Sequence, residues 1–164
     1  MDNLCKLAIK IFTATYVLLL SNTVFAAVPF LNQTSTINFG NLIFIPGGCD
    51  MAYDTKTIVN NTSANICIDP EGQLGKYRIT ADPSIPITIT VKTHNDDGSG
   101  IIYVPNGQAV SDTESKLLSA NIATVIDSGT SGFIDITLGG RIQVSVTLSA
   151  SSSYDESFDI EFTE

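Results

Sequence analysis

The chain has 164 residues, of which 43% are hydrophobic and 15% are charged, with 8 basic and 17 acidic side chains and a formal net charge of -9. This length fits one domain with a single hydrophobic core, and the hydrophobic content is too high for a disordered chain. The negative charge disfavours nucleic acid as a partner, because binding a phosphate backbone requires clustered lysine and arginine.

The first 26 residues have the organisation of a secretory signal peptide. Two lysines precede a compact apolar run at residues 11–20, which is about half the ~20 residues that a membrane-spanning helix needs. Cleavage between Ala26 and Ala27 satisfies the requirement for small residues before the cut. An uncleaved N-terminal anchor is the alternative. We expect a protein exported to the periplasm, the cell surface or the medium, with no stable membrane span after cleavage.

The predicted mature chain keeps two of the three cysteines, Cys49 and Cys67. Removing residues 1–26 also takes away two lysines and one aspartate, so the net charge of -9 becomes -10. An even pair of cysteines in an exported protein predicts a disulfide. A zinc site is disfavoured, because two cysteines and the distant His94 do not supply four ligands. A redox pair is also disfavoured, because its cysteines would lie two residues apart, whereas Cys49 and Cys67 are far apart in the sequence.

Apolar and polar residues alternate along most of the mature chain. The pattern is clearest at residues 86–92, 141–149 and 158–162, and a period of two predicts half-buried strands. The predicted strands are 36–45, 64–68, 76–81, 86–92, 101–104, 120–126, 133–138, 141–149 and 158–162. Clusters of turn-forming residues separate them, among them 46–48, 69–72, 96–100, 105–107, 128–132 and 139–140. A short helical turn is predicted at 113–118.

This order of elements predicts an all-β fold. A sheet with one polar face must bury its other face, and packing two such sheets face to face achieves this for a chain of this length. We therefore expect residues 36–164 to form a single antiparallel β-sandwich domain, preceded by an N-terminal extension at residues 27–35.

Short sequence elements near both ends of the mature chain resemble one family. They are Phe39-Gly40 after an apolar segment, Gly139-Gly140 before a late strand, and Tyr154 before an alternating terminal strand. With these elements the chain resembles exported bacterial domains of unknown function that are similar to spore-coat-protein-U and chaperone-usher pilin subunits. The resemblance covers about residues 34–164 and departs from the usual pattern at Ser153, where the family commonly has glycine.

The resemblance implies an immunoglobulin-like, pilin-like sandwich that lacks one strand. A periplasmic chaperone first fills the open groove of such subunits, and the N-terminal extension of the next subunit then replaces it. The corresponding extension here is residues 27–35, in which Val28 and Phe30 alternate as the expected donor anchors. A disordered or edge-covering N-terminus is the alternative. The expected function is a structural or adhesive fimbrial subunit that self-assembles, with a periplasmic chaperone and an outer-membrane usher as partners.

A monomeric exported module that binds calcium or a glycan weakly is the second functional hypothesis. Residues 94–100 carry oxygen ligands at alternate positions, but the glutamate that closes a calcium loop is missing, so a hairpin turn explains them better. His94 is the only histidine, and no Gly-x-Ser-x-Gly motif is present. We expect no enzymatic activity, no cofactor and no metal site.

Overall fold

The computed structural model describes residues 28–95, 98–148 and 158–164. These residues form ten strands and no helix. The predicted signal peptide with Ala26 and Ala27, and the family-like Tyr154, lie outside these residues. The strands are β1 (Phe30–Ser35), β2 (Gly47–Met51), β3 (Ile58–Asn60), β4 (Gly75–Thr80), β5 (Pro86–Val91), β6 (Ile101–Val110), β7 (Ser115–Ser119), β8 (Thr124–Asp127), β9 (Phe133–Val144) and β10 (Ile160–Thr163). The prediction of an all-β fold is confirmed.

The larger sheet is built around β9, its longest strand. On one side β9 pairs with β6, and on the other side it pairs first with β4 and then with β2. The sheet is extended by β1 beside β4, by β3 beside β2 and by β7 beside β6, and every pairing is antiparallel. Side chains alternate along β9 between a buried and an exposed face of the sheet. Ile134, Ile136 and Leu138 are buried, while Asp135 and Arg141 are exposed.

The smaller sheet has three antiparallel strands in the order β10-β5-β8. Its central strand, β5, buries Ile87, Ile89 and Val91 completely, and Thr88 and Thr90 alternate with them on the other face. These three side chains form one core cluster with the apolar residues of the larger sheet. The two sheets therefore face each other across a shared core, as in a β-sandwich.

A second core cluster surrounds the opposite end of β9. It includes Val144 of β9, Met51 of β2 and Ile101 of β6, together with Phe39 and Ile66 from the irregular segments on either side of β2 and β3. The ring of Phe158 packs against both clusters. The domain thus has two adjoining cores that share β9 as a common strand.

Two predicted turns are wrong, because their glycines lie inside strands. Gly139-Gly140 lies within β9 and residues 105–107 lie within β6. A Cβ atom at Gly139 would stand 2.3 Å from the carbonyl oxygen of Met51, and one at Gly107 would stand 2.1 Å from that of Thr137. Both glycines therefore permit close approach of neighbouring backbone.

Other local predictions also differ from the structure. The predicted helical turn at 113–118 is wrong, because Ser115–Ser119 form the edge strand β7, in which Leu117 is 63% exposed and Leu118 is buried. The predicted strand at 36–45 is an irregular segment with isolated bridges at Asn38 and Leu42. The predicted turn at 46–48 overlaps β2, which begins at Gly47.

Candidate assembly edge

The first strand, β1, contains most of the predicted N-terminal extension. In this structure it pairs with β4 of the same chain, with Leu31 opposite Ile79 and an irregularity in register between Gln33 and Ser35. Leu31 packs against the first core cluster. Phe30, one residue earlier, points to the opposite face of the sheet and is 57% exposed. Thus β1 contributes one apolar side chain to its own core and presents another outward.

The predicted donor anchors Val28 and Phe30 are both exposed in this arrangement, Val28 by 85%. Neither belongs to the core of its own chain. Their use as anchors in a neighbouring subunit stays a prediction.

The last strand, β10, is one of the two outer strands of the smaller sheet. Ile160 and Phe162 face the core and are partly buried, while Glu161 faces outward and forms an ion pair of 3.0 Å with Lys92. Lys92 also donates its backbone N–H to the carbonyl oxygen of Asp159 at 2.9 Å. The backbone hydrogen bond continues the pairing of β5 and β10 by one residue beyond Val91.

Both edge strands flank the first core cluster, to which each contributes partly buried side chains. Phe158, two residues before β10, makes edge-to-face contacts with Tyr103 of β6 and with Tyr77 of β4, with ring centroids 5.0 and 6.1 Å apart, and β4 is the neighbour of β1. Among the described residues, the outer edges of β1 and β10 have no strand partner. We call this region, formed by β1, β10 and Phe158, the open corner.

Incomplete burial distinguishes the open corner from the rest of the first core cluster. Five apolar side chains that pack at the margin of this cluster are only partly buried. Four of them belong to the open corner: Leu31, Phe158, Ile160 and Phe162. The fifth, Ile85, lies in the loop before β5. In contrast, the opposite corner is closed, because β7 lies next to β8 and Glu114 accepts the backbone N–H of Asp127 at 2.6 Å.

The predicted disulfide is confirmed. Cys49 of β2 and Cys67 are joined by a disulfide bond, with their Cα atoms 6.3 Å apart. Both cysteines are buried in the second core cluster. The side chain of Asn60 reinforces this connection, since its amide donates to the carbonyl oxygen of Cys67 at 3.1 Å and accepts the Cys67 N–H at 2.9 Å. The bond therefore fixes an irregular segment to the end of the larger sheet.

The family-like residues that the structure describes occupy structural positions. Phe39 is buried and contacts Tyr103 edge to face, with ring centroids 6.0 Å apart. Gly40 has a φ of 74°, and a Cβ atom there would clash with the carboxylate of Asp69, so the Phe-Gly pair combines a core anchor with a left-handed turn. The carbonyl oxygen of Gly139 accepts the hydroxyl of Tyr103 at 2.5 Å, and burial raises the pKa of that hydroxyl.

The apolar face of β10 is predictable from the sequence, but the open corner as a whole is not. The alternation at 158–162 was a sufficient signal for Ile160 and Phe162. Leu31 gave no such signal, because it follows Phe30 directly and precedes a polar stretch. Its inward orientation depends on pairing with β4, which is far away in sequence.

Residues 28–95, 98–148 and 158–164 contain no helix long and apolar enough to cross a membrane. In the same part of the chain, no group of three or more His, Cys, Asp or Glu side chains is placed to hold a metal ion. The candidate calcium loop at 94–100 includes Asp96 and Asp97, which lie outside the described residues. Comparison with protein families, with curated proteins and with solved structures finds no match to this chain.

Proposed function

We propose that this chain is an exported structural or adhesive subunit, pilin-like in architecture, that assembles with copies of itself by strand exchange at the open corner. The observation that carries the proposal is the set of partly buried apolar side chains on or beside β1 and β10, two strands that each have an unpaired edge among the described residues. Exposed apolar surface beside an unpaired edge favours the addition of a further strand, because main-chain hydrogen bonds and side-chain burial are gained together.

The strand pairings support an immunoglobulin-like sandwich without its final strand. In that fold, strands A, B and E are neighbours in one sheet, and strands C, F and G are neighbours in the other. The order β1-β4-β9 corresponds to A-B-E, and β5-β10 corresponds to C-F. The place of strand G would then be the free edge of β10. One departure concerns the order of two strands. The strand at the place of strand D, β6, comes before β8 in the chain, although β8 pairs with β5, the strand at the place of C.

The N-terminal segment has features of a strand that can be exchanged. Five of its six residues pair with β4, with a register irregularity, and only Leu31 packs against the core. Releasing β1 from its own chain would therefore cost little buried apolar surface. Val28 and Phe30 are already exposed and lie two residues apart, so both can enter one groove of a neighbouring subunit. The predicted signal peptide and the buried disulfide fit export to an oxidising compartment.

The proposal is tested with the full-length chain expressed in its own host and sheared from the cell surface. Strand-exchanged fibres resist detergent at room temperature, so unboiled samples should give a ladder on a denaturing gel that collapses to monomer on boiling. A monomer in both lanes would contradict assembly by strand exchange.

The donor segment is tested with a double variant, Val28→Asp with Phe30→Asp. Both side chains are exposed in the monomer, so the fold should be retained while the ladder is lost. The matched control is Leu117→Asp with Val125→Asp, which places two negative charges on side chains that are 63% and 56% exposed outside the open corner and should keep the ladder. An intact ladder in the double variant would show that these two residues are not the anchors.

A further inference from the structure

The outer face of the larger sheet carries a pocket of about 270 Å³, away from the open corner. One wall is a row of residues paired across three strands: Asp50 of β2 opposite Arg141 of β9, and Arg141 opposite Val104 of β6. Arg141 donates from Nε to Asp50 Oδ1 at 2.7 Å, and Asn61 donates to Asp50 Oδ2 at 3.0 Å. The carboxylate and the guanidinium are therefore held in place at the pocket rim.

The next row of the same face explains why a depression forms. It consists of Gly139 of β9, Asn106 of β6 and Ser119 of β7, which are paired with one another across the sheet. The backbone of Met51 and Tyr53 covers Gly139. Asparagine and serine are short, and β7 ends at Ser119, so a depression remains beside Arg141. Ala120 continues the lining beyond the end of β7.

The polar groups of the pocket match hydroxyl groups better than ions. The charges of Asp50 and Arg141 compensate each other: partial burial raises the pKa of Asp50, but hydrogen bonds from Arg141 and Asn61 and the charge of Arg141 outweigh it and hold this pKa below its ordinary value. The pair therefore presents fixed acceptors and donors with no net charge. Asn106 and the Ser119 hydroxyl can each donate and accept, as a sugar hydroxyl does.

Size and apolar lining restrict the ligand further. A volume of about 270 Å³ lies just below the usual range of about 300–1,000 Å³ for small-molecule sites, so the pocket suits one small ring. Val104, Pro105 and Ala120 supply apolar surface for the C–H groups of such a ring. No aromatic side chain lines the pocket, so recognition depends on hydrogen bonds, and we expect a dissociation constant in the millimolar range.

From this geometry we infer that the pocket binds one neutral sugar residue of a glycan through its hydroxyl groups. None of the lining residues belongs to β1 or β10, so the site is independent of strand exchange and is present in a single subunit. If subunits assemble, repeated weak sites along a fibre would bind a glycan-coated surface by avidity.

The inference is tested by heteronuclear NMR titration of the full-length mature protein with mannose, galactose and N-acetylglucosamine at up to tens of millimolar. We expect saturable shifts of the Asn106 side-chain amide, the Arg141 Nε–H and the Ala120 backbone amide with at least one of them. Glucuronate and N-acetylneuraminate form the anionic arm. Saturation by the anionic sugars alone would overturn the inference in favour of an anion site, and no saturation by any sugar would overturn it outright.

Two variants and a matched control locate the binding. Asn106→Ala removes an exposed side chain and should weaken binding at least tenfold without affecting the fold, and Arg141→Ala should do the same. The control is Arg78→Ala, which breaks an equivalent ion pair with Asp135 (Nε to Oδ1, 2.7 Å) on the same face but outside the pocket. Equal weakening by the Arg78 variant, or unchanged binding by the Asn106 variant, would refute the assignment.

Discussion

The glycine pair in the middle of β9 permits a quantitative test of why these residues are glycine. Three positions separate two effects. Gly139 has no left-handed φ, but a Cβ there would stand 2.3 Å from a backbone oxygen. Gly98 has a φ of 106°, and no atom of the described residues would lie within 4 Å of a Cβ there. Gly140 combines a φ of 132° with a Cβ position 2.5 Å from the Val104 carbonyl oxygen. Alanine at each position therefore samples crowding alone, backbone strain alone, and both together.

The expected free-energy changes follow from these contacts. Strain at a left-handed position costs about 1–2 kcal/mol, and overpacking against an immovable neighbour costs about 1–3 kcal/mol. Gly98→Ala should therefore lower the free energy of unfolding by about 1 kcal/mol, Gly139→Ala by about 2 kcal/mol and Gly140→Ala by about 3 kcal/mol or more. The stabilising effect of alanine on the unfolded chain is common to all three and does not change their order.

Urea unfolding followed by far-ultraviolet circular dichroism measures these differences, since the chain has no tryptophan for fluorescence. With a slope of about 2 kcal/mol per molar urea, the Gly140 variant should unfold at a midpoint about 1.5 M lower than the parent. A Gly139 variant within about 0.5 kcal/mol of the parent would refute the close approach of the Met51 backbone. A Gly98 variant as unstable as the Gly140 variant would assign the whole effect to strain.

Three further predictions concern the disulfide, acid stability and the core. Replacing Cys49 and Cys67 together by serine should lower the free energy of unfolding by about 3 kcal/mol, and reductant should then have no further effect in the same urea assay. A hydrogen bond from the Thr130 hydroxyl, together with backbone hydrogen bonds, lowers the pKa of Asp112 below 3.8. The stabilising contribution of the Asp112 carboxylate is therefore present above about pH 4 and is lost as the pH falls further. Asp112→Asn should flatten this acid dependence of the melting temperature. Ile136→Ala, at a side chain 1% exposed, should cost about 2–5 kcal/mol in urea unfolding, and a loss below 1 kcal/mol would contradict its central place in the core.

Strands with one buried and one solvated face were predictable from the sequence. The alternation of Ile87, Ile89 and Val91 with threonine placed β5 within one residue of its observed bounds. Strand β7 was not predictable in this way, because it lies at an edge, where Leu117 faces solvent and adjacent leucines hide the period. Alternation therefore reports burial on one face and is lost where both faces are partly exposed.

Turn prediction failed where glycine serves packing between strands. Gly107 and Gly139 resemble turn glycines in sequence, but each allows the backbone of a distant segment to approach. The pocket was unpredictable for the same reason, since Asp50, Asn106 and Arg141 come from three strands whose register only the folded sheet defines. Sequence reasoning gave the fold class and the disulfide, while the arrangement of both candidate sites depends on long-range pairing.

The shared strand β9 has a consequence for how the domain unfolds. It contributes Ile134, Ile136 and Leu138 to one core cluster and Val144 to the other, and its partners change from β4 to β2 midway. If β9 detaches, both core clusters lose side chains that it contributes. The two core clusters should therefore unfold in one cooperative transition. The backbone amides of β9 should accordingly be the slowest in the chain to exchange with solvent, whereas those of β1 should exchange through local opening.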